Sequence, residues 1–323
     1  MSDPEKASEP RPSSTGTPSP VPVESPSEQA PALGWRRIEA KGPTARRDYS
    51  FAAAGTESAA FLFGGRAGGE ALGDLWSFAD GGWRQISAQG PAPRFGHNSA
   101  FIGQRLFLFG GQGGAGVFFN DLWSFDVVTE RWRMLADDGP SARYGAGGTA
   151  LGTTLAISHG FTNAGRFDDT WWFHRGWEDV SPAAGPRPIR RCLHRLVYVK
   201  GLDRLVLFGG QTNDDPFLGD AWLFDPGPRT WTQVKGPAPS PRNLYAAGAT
   251  SNALYVFGGN GNEGELGDLW SFDGERWREM STGKPRPSAR DGIDFAVLSG
   301  SMLLFGGSDV SGELDDLWEL TTT

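Results

Sequence analysis

The sequence predicts an all-β fold of six four-stranded sheets closed into a ring, and three observations carry that reading. A unit holding Phe107–Leu108–Phe109–Gly110–Gly111, then Asp121–Leu122–Trp123, then Trp132, returns five more times with small changes. Apolar residues at helical spacing are absent, and Gly, Pro, Asn and Asp punctuate the chain throughout. The last unit ends at the C-terminus without its closing tryptophan, and Trp35, the first aromatic residue of the chain, supplies it.

Residues 1–33 hold eight prolines, seven serines and no aromatic residue. Such a segment cannot bury enough surface to offset chain entropy, so it reads as a disordered, partly extended linker. From Trp35 the repeat takes over. The second glycine of each Gly-Gly pair falls at Gly65, Gly111, Gly160, Gly210, Gly259 and Gly307, in steps of 46 to 50 residues. An arginine stands 17 or 19 residues before each: Arg46, Arg94, Arg143, Arg191, Arg242 and Arg290. An aspartate follows each pair with a tryptophan two residues on, as in Asp74/Trp76 and Asp316/Trp318. Four strands fit in each unit. In the second they are one within 94–104, then Arg105–Phe109, Leu122–Asp126 and Trp132–Leu135. Runs such as Leu205–Phe208 suit strands covered on both faces. Trp35 stands 11 residues before Arg46, as Trp83 stands before Arg94, so Trp35–Glu39 is the last strand of the unit whose other strands lie in 291–321.

Gly-Gly ending a buried strand, then Asp-Leu-Trp, then a lone Trp, at about 50 residues, resembles the kelch repeat. The resemblance covers residues 34–323, and it implies a six-bladed β-propeller of four-stranded antiparallel blades, like the central domain of galactose oxidase, closed by its N-terminal strand. The Pro-x-x-Arg starts, such as Pro91–Arg94, are similar to those of the plant specifier proteins and the cell-polarity kelch proteins. On this reading the glycines serve turns and close approach, the tryptophans fill the wedge between blades, and the repeated Asp caps turns or accepts backbone hydrogen bonds.

In a repeat protein function sits where equivalent loop positions differ. The resemblance implies binding on the channel face, by the residue after Gly-Gly and those around the repeat arginine. The first set is Arg66, Gln112, Phe161, Gln211, Asn260 and Ser308. The second is Arg46/Arg47, Arg94/Phe95, Arg143/Tyr144, Arg191/Cys192, Arg242/Asn243 and Arg290/Asp291. Two readings of the six repeat arginines stand open. They converge on one rim as a carboxylate or phosphate site, or each pairs with a neighbouring Asp or carbonyl and holds adjacent blades. The expected partner is a protein or peptide. A small anionic or sugar ligand turned over in the channel is the alternative, and Tyr49, His97, His194 and Tyr245, which share one repeat position, are its acid–base candidates. The third unit departs most, with His159–Gly160 for Gly-Gly, an added Trp172, and His174. Its irregularity marks either a binding site or drift.

No metal or cofactor is expected. His97 and His194 fall in units that are not neighbours, and His159 and His174 lack a carboxylate at ligand spacing. The Glu-x-x-x-Asp-x-x-x-His motif of the iron-dependent specifier proteins is met by Glu70 and Asp74 but broken at Phe78. The cross-linked Cys–Tyr centre of galactose oxidase lacks its further ligands, while the motif test leaves the mutarotase-like kelch enzymes open. The net charge of −8 argues against nucleic acid, which needs a basic face. Cys192 is alone, so no intrachain disulfide forms. No apolar run reaches membrane-helix length and no signal peptide is visible. A monomer is expected, in the cytoplasm by default, or outside it where an export signal has been removed.

Overall fold

The computed structural model describes residues 33–53 and 59–321. The linker expected at 1–33 lies, but for residue 33, outside them. Among the described residues six four-stranded antiparallel sheets form, with two short hairpins, Arg66–Ala67 with Glu70–Ala71 and Asn260–Gly261 with Gly264–Glu265. Each sheet is one blade, and in five of the six the strands follow in chain order from the axis outward. The second blade runs Asn98–Ile102, Arg105–Phe109, Leu122–Asp126 and Arg131–Ala136, close to the predicted bounds. The sixth takes Phe295–Leu298, Ser301–Asp309 and Gly312–Thr321, then pairs the last with Gly34–Ile38 in the register Trp35↔Leu320. The ring is therefore closed by hydrogen bonds between the two ends of the described chain, as the spacing of Trp35 predicts.

The first strands of the blades, Ser50–Ala53, Asn98–Ile102, Gly147–Leu151, Arg195–Val199, Ala246–Ala249 and Phe295–Leu298, neighbour one another around the axis. The core lies between blades. Four closing tryptophans pack on the phenylalanine that ends the second strand of the preceding blade. Trp132 meets Phe63 at 5.4 Å between ring centroids, Trp177 meets Phe109 at 5.1 Å, Trp277 meets Phe208 at 4.9 Å and Trp35 meets Phe257 at 5.0 Å. The wedge is thus filled by an aromatic pair that neither blade can bury alone.

Blade three solves the same wedge differently. Ser158 stands where the other blades have phenylalanine, and His159 where they have the first glycine. The His159 backbone keeps the left-handed φ of 59°. Its ring takes up the missing aromatic volume, 5.3 Å from the His194 ring and 6.3 Å from Trp231. His159 is fully buried. The Phe-Gly to Ser-His exchange is a packing compensation within the core.

Candidate functional site

The repeat arginine is the first side chain to place. Arg94 is 0% exposed. It donates through Nη1 to Asp121 Oδ1 (2.6 Å) and through Nη2 to Asp121 Oδ2 (2.9 Å), with further bonds to Gly110 O (3.0 Å) and Ala92 O (2.9 Å). The same bidentate pair forms between Arg46 and Asp74, Arg143 and Asp169, Arg191 and Asp220, Arg242 and Asp268, and Arg290 and Asp316. Each aspartate also accepts the indole N–H of the tryptophan two residues on, as Trp123 Nε1 to Asp121 Oδ2 at 2.7 Å. The turn-capping role expected of these aspartates is corrected by this geometry, because both carboxylate oxygens are spent on arginine and tryptophan. Meanwhile the arginine backbone pairs with the preceding blade: Gly65 N donates to Arg94 O and Arg94 N to Leu72 O. The side chain holds its own blade and the main chain holds the neighbour. Of the two readings left open by the sequence, the structure places Arg46, Arg94, Arg143, Arg191, Arg242 and Arg290 in the pairing one. Their donors are consumed inside the blades rather than converging on a rim.

Two residues beyond each arginine the chain turns through a left-handed conformation, with φ between 55° and 65° at Asp48, Gly96, Gly145, Leu193, Leu244 and Gly292. These six residues form a closed circuit of backbone hydrogen bonds about the axis. Gly96 N donates to Asp48 O (2.8 Å), Gly145 N to Gly96 O (2.8 Å) and Leu193 N to Gly145 O (2.7 Å). Leu244 N donates to Leu193 O (3.3 Å), Gly292 N to Leu244 O (2.9 Å) and Asp48 N to Gly292 O (2.8 Å). The circuit bars one end of the channel, and a void of only about 40 Å3 lies against it. Close approach explains its glycines: a Cβ on Gly96 would stand 2.1 Å from Tyr144 Cε2. Gly96→Ala is therefore expected to lose about 2 kcal/mol, mostly from displacing the Tyr144 ring, since Leu193 already tolerates the same φ. A urea midpoint unchanged from the parent protein would refute this account of the circuit.

Above the circuit the two candidate sets turn out to be one structure. The residue after each arginine bridges to the residue after Gly-Gly in the same blade: Arg47↔Arg66, Phe95↔Gln112, Tyr144↔Phe161, Cys192↔Gln211, Asn243↔Asn260 and Asp291↔Ser308. Arg66, Gln112, Phe161, Gln211, Asn260 and Ser308 are all half-buried, so each keeps an open side on this face. Cys192, Asn243 and Asp291 are buried beneath.

The face carries both charged and aromatic groups. Arg66 Nε donates to Asp48 Oδ2 at 2.6 Å, and Arg47 lies 3.6 Å from Asp291. Burial together with the Asp48 charge pushes the Asp291 carboxyl up to about 6. Burial works against the Arg66 cation, but Asp48 more than offsets it and the guanidinium is held charged. Aromatic groups adjoin this charged cluster: Arg66 lies over Phe95 (5.2 Å), Phe95 against Tyr144 (5.7 Å), Phe118 against Phe161 (6.0 Å) and Arg166 over Phe161 (5.1 Å). Asn243 Nδ2 ties Gln211 Oε1 at 3.0 Å.

The four acid–base candidates lie on the inner side of the circuit. Tyr49, His97, His194 and Tyr245 are 0–4% exposed. Tyr245 donates to Phe208 O at 2.5 Å and Tyr49 to Phe305 O, each in the preceding blade. Burial, aided by Asp294, pushes the Tyr49 phenol far up, and burial does the same to Tyr245. Burial and the nearby Arg94 and Arg195 push His97 down to about 3, so its imidazole is neutral. His97 Nε2 is shared with Ser50 Oγ at 2.9 Å. His159 and His194 meet ring to ring, a proximity that linear spacing does not reveal, but among the described residues no third His, Cys, Asp or Glu joins them.

The sequence reading named the channel as an alternative site but missed the charged residues that line it. The channel's open end leads into a cavity of about 290 Å3 lined by all six first strands, with Arg195 and Asp294 against the circuit. Both stand four residues after a repeat arginine, where the column reads Ser50, Asn98, Gly147, Arg195, Ala246 and Asp294. That column holds one cation and one anion, as the column Arg47, Phe95, Tyr144, Cys192, Asn243 and Asp291 does, and reading it would have found the pair.

The chain's similarities agree with this architecture. The family described as the KLHDC2/KLHL20/DRC7 Kelch-repeats domain matches over residues 30–201 and again over 174–323. Shorter stretches resemble known proteins: 33% identity over 94 residues to host cell factor homolog hcf-1 of Caenorhabditis elegans, 27% of this chain and 12% of that one. Dynein regulatory complex subunit 7 of Chlamydomonas reinhardtii is 33% identical over 82 residues, 25% of this chain and 7% of that one. Host cell factor 1 of Homo sapiens is 36% identical over 87 residues, 25% of this chain and 4% of that one. The match therefore spans a small part of each of these relatives.

Proposed function

The chain belongs to the KLHDC2/KLHL20/DRC7 Kelch-repeats domain family, and from that premise we propose that it is a binding module whose face above the backbone circuit receives a protein or peptide. Propellers of this family commonly mediate protein binding. The observation that carries the reading is the circuit itself. It floors this end of the channel, so the six bridged pairs form a broad continuous surface and not the wall of a hole. On that surface Arg66 and Arg166 alternate with Phe95, Phe118 and Phe161, the residue types that anchor interfaces. Gln112, Gln211 and Asn260 add side-chain amides, which both donate and accept and so suit an extended peptide main chain. Partner affinity then rests on Arg66 and Phe161, and the buried repeat arginines contribute only the frame.

A displayed random-peptide library panned against the full chain tests this. The expected result is a family of peptides whose affinity falls at least about 10-fold with Arg66→Ala or Phe161→Ala, the loss typical of an interface anchor. Arg84→Ala, in an exposed outer-strand residue paired with Glu130, is expected to change nothing. If every enriched peptide binds the Arg66→Ala/Phe161→Ala double variant as well as the parent, the proposed face is wrong.

A further inference from the structure

We propose that the open end of the channel is a second, independent binding site, for a small neutral polyhydroxylated molecule of monosaccharide size. It lies on the opposite side of the backbone circuit from the peptide face, so the two sites share no surface.

The space exists because the first strands are built from small residues: Gly147–Gly148 in blade three and Ala246–Ala247–Gly248–Ala249 in blade five. A cavity of about 290 Å3 is near the small end of ligand sites and holds roughly ten water volumes. That admits one small ring and excludes a folded peptide.

Its floor is polar and held rigid. Arg195 Nε donates to Tyr245 O at 2.9 Å and Nη2 to Ile293 O, which fix the guanidinium against the circuit. Nη1 is left without a hydrogen bond, 3.6 Å from Asp294 Oδ1. Asp294 in turn is fixed by two backbone donors, Phe295 N to Oδ1 (3.0 Å) and Phe51 N to Oδ2 (3.3 Å). The side chains of Arg195 and Asp294 remain 25% and 16% exposed, and both line the cavity. Asn98, 7% exposed on the same wall, makes no side-chain hydrogen bond among the described residues. Thr149 adds a hydroxyl.

Charge decides the class of ligand. Arg195 and Asp294 offset each other while Asp294 is ionised, and His97 beside them is neutral, so in that state neither an anion nor a cation finds a net field; burial raises the Asp294 carboxyl, which makes the balance pH-dependent. What remains is a fixed donor, a fixed acceptor, the Asn98 amide and the Thr149 hydroxyl, among small apolar residues such as Ala52, Gly148, Ala247 and Gly248. Adjacent ring hydroxyls each donate and accept, and a sugar ring also presents apolar C–H groups to the small apolar residues of the wall. The Asn98 amide has no protein partner among the described residues, so a ligand that pairs it gains a hydrogen bond the chain itself does not make.

Thermal melting of the full chain against glucose, galactose, mannose and myo-inositol, with glucuronate, sialic acid and phosphate as the anionic arm, tests the proposal. At least one neutral compound is expected to raise Tm saturably. Asn98→Leu is expected to weaken that compound about 10-fold or more, as losing a buried amide contact does. Ala150→Trp, which fills the mouth and leaves the floor intact, is expected to abolish the effect, and Arg66→Ala on the opposite face to preserve it. Silence from every neutral compound with the parent protein overturns the proposal. So does a response confined to the anions, which would mean an unneutralised Arg195, or a response that survives both Asn98→Leu and Ala150→Trp in folded variants.

Discussion

Asp121→Ala will cost about 3–5 kcal/mol of folding free energy, the range for breaking a buried ion pair from one side. The substitution strips two charge-assisted bonds from Arg94, which is 0% exposed beside an Asp121 side chain that is 18% exposed. It also leaves the Trp123 indole N–H without its acceptor. Phe119, whose ring lies 3.9 Å from the guanidinium carbon, supplies a cation–π contact that cannot replace a carboxylate. Against a typical total of about 5–15 kcal/mol, such a loss is large. Urea denaturation measures it directly. Removing both partners as Arg94→Met/Asp121→Leu should recover much of the loss, because the penalty belongs to the stranded cation and not to the missing attraction. A single-variant loss below about 1 kcal/mol, the value of a surface pair, would contradict the buried-staple account. The six carboxyls have an acid limit as well. Burial raises each of them, but the bonds and charge of its arginine win and hold all six below the ordinary carboxylate range. Their contribution is complete above about pH 4 and is lost as pH falls through the folded values.

The second large effect lies nearer neutrality. His97, His159 and His194 are buried and neutral when folded. Burial lowers all three, helped by Arg94 at His97, by Arg191 at His159 and by His159 at His194. An unfolded histidine takes its proton near pH 6.5, whereas His97 and His159 do so only at about 3 in the fold. The unfolded state therefore binds more protons below pH 6.5, and stability falls as pH falls, by up to about 1.4 kcal/mol per pH unit for each histidine. Asp291, raised to about 6, and Asp294, raised by burial, work the other way and recover part of it. The expected net loss between pH 7 and pH 5 is about 2 kcal/mol. Urea midpoints across that range should decline, and His97→Gln should flatten the decline by removing one of three titrating groups. A profile that is flat or rising from pH 7 to pH 5 would show that these imidazoles are not held neutral.

Much of the fold was legible in the sequence because a repeat writes the same physical requirement six times. The glycine pairs, the Asp-x-Trp steps and the closing tryptophans mark strand ends and wedge packing wherever they fall, and Trp35 alone gave the closure. The site was less legible. Arginine, aspartate and tryptophan stand in fixed columns, but their spacing does not say that one carboxylate serves both neighbours. Arg94 therefore looked as available to a ligand as Arg66, although the first is sealed and the second open. His159 looked like drift or a site, and its role as a substitute for a core phenylalanine depends on contacts with His194 and Trp231 from the next blade.

The number of blades, their order and the strand that closes them were settled by the sequence alone, since each follows from local turn chemistry and apolar pattern repeated at a constant period. Which face is barred and which end is open was decided only by the tertiary structure. The circuit from Asp48 to Gly292 joins main-chain groups of residues about 50 apart, so no side-chain pattern records it. The meeting of Arg195 with Asp294 is a matter of two blades with a third between them. Such a contact exists only once the ring has closed and set the distance across its axis.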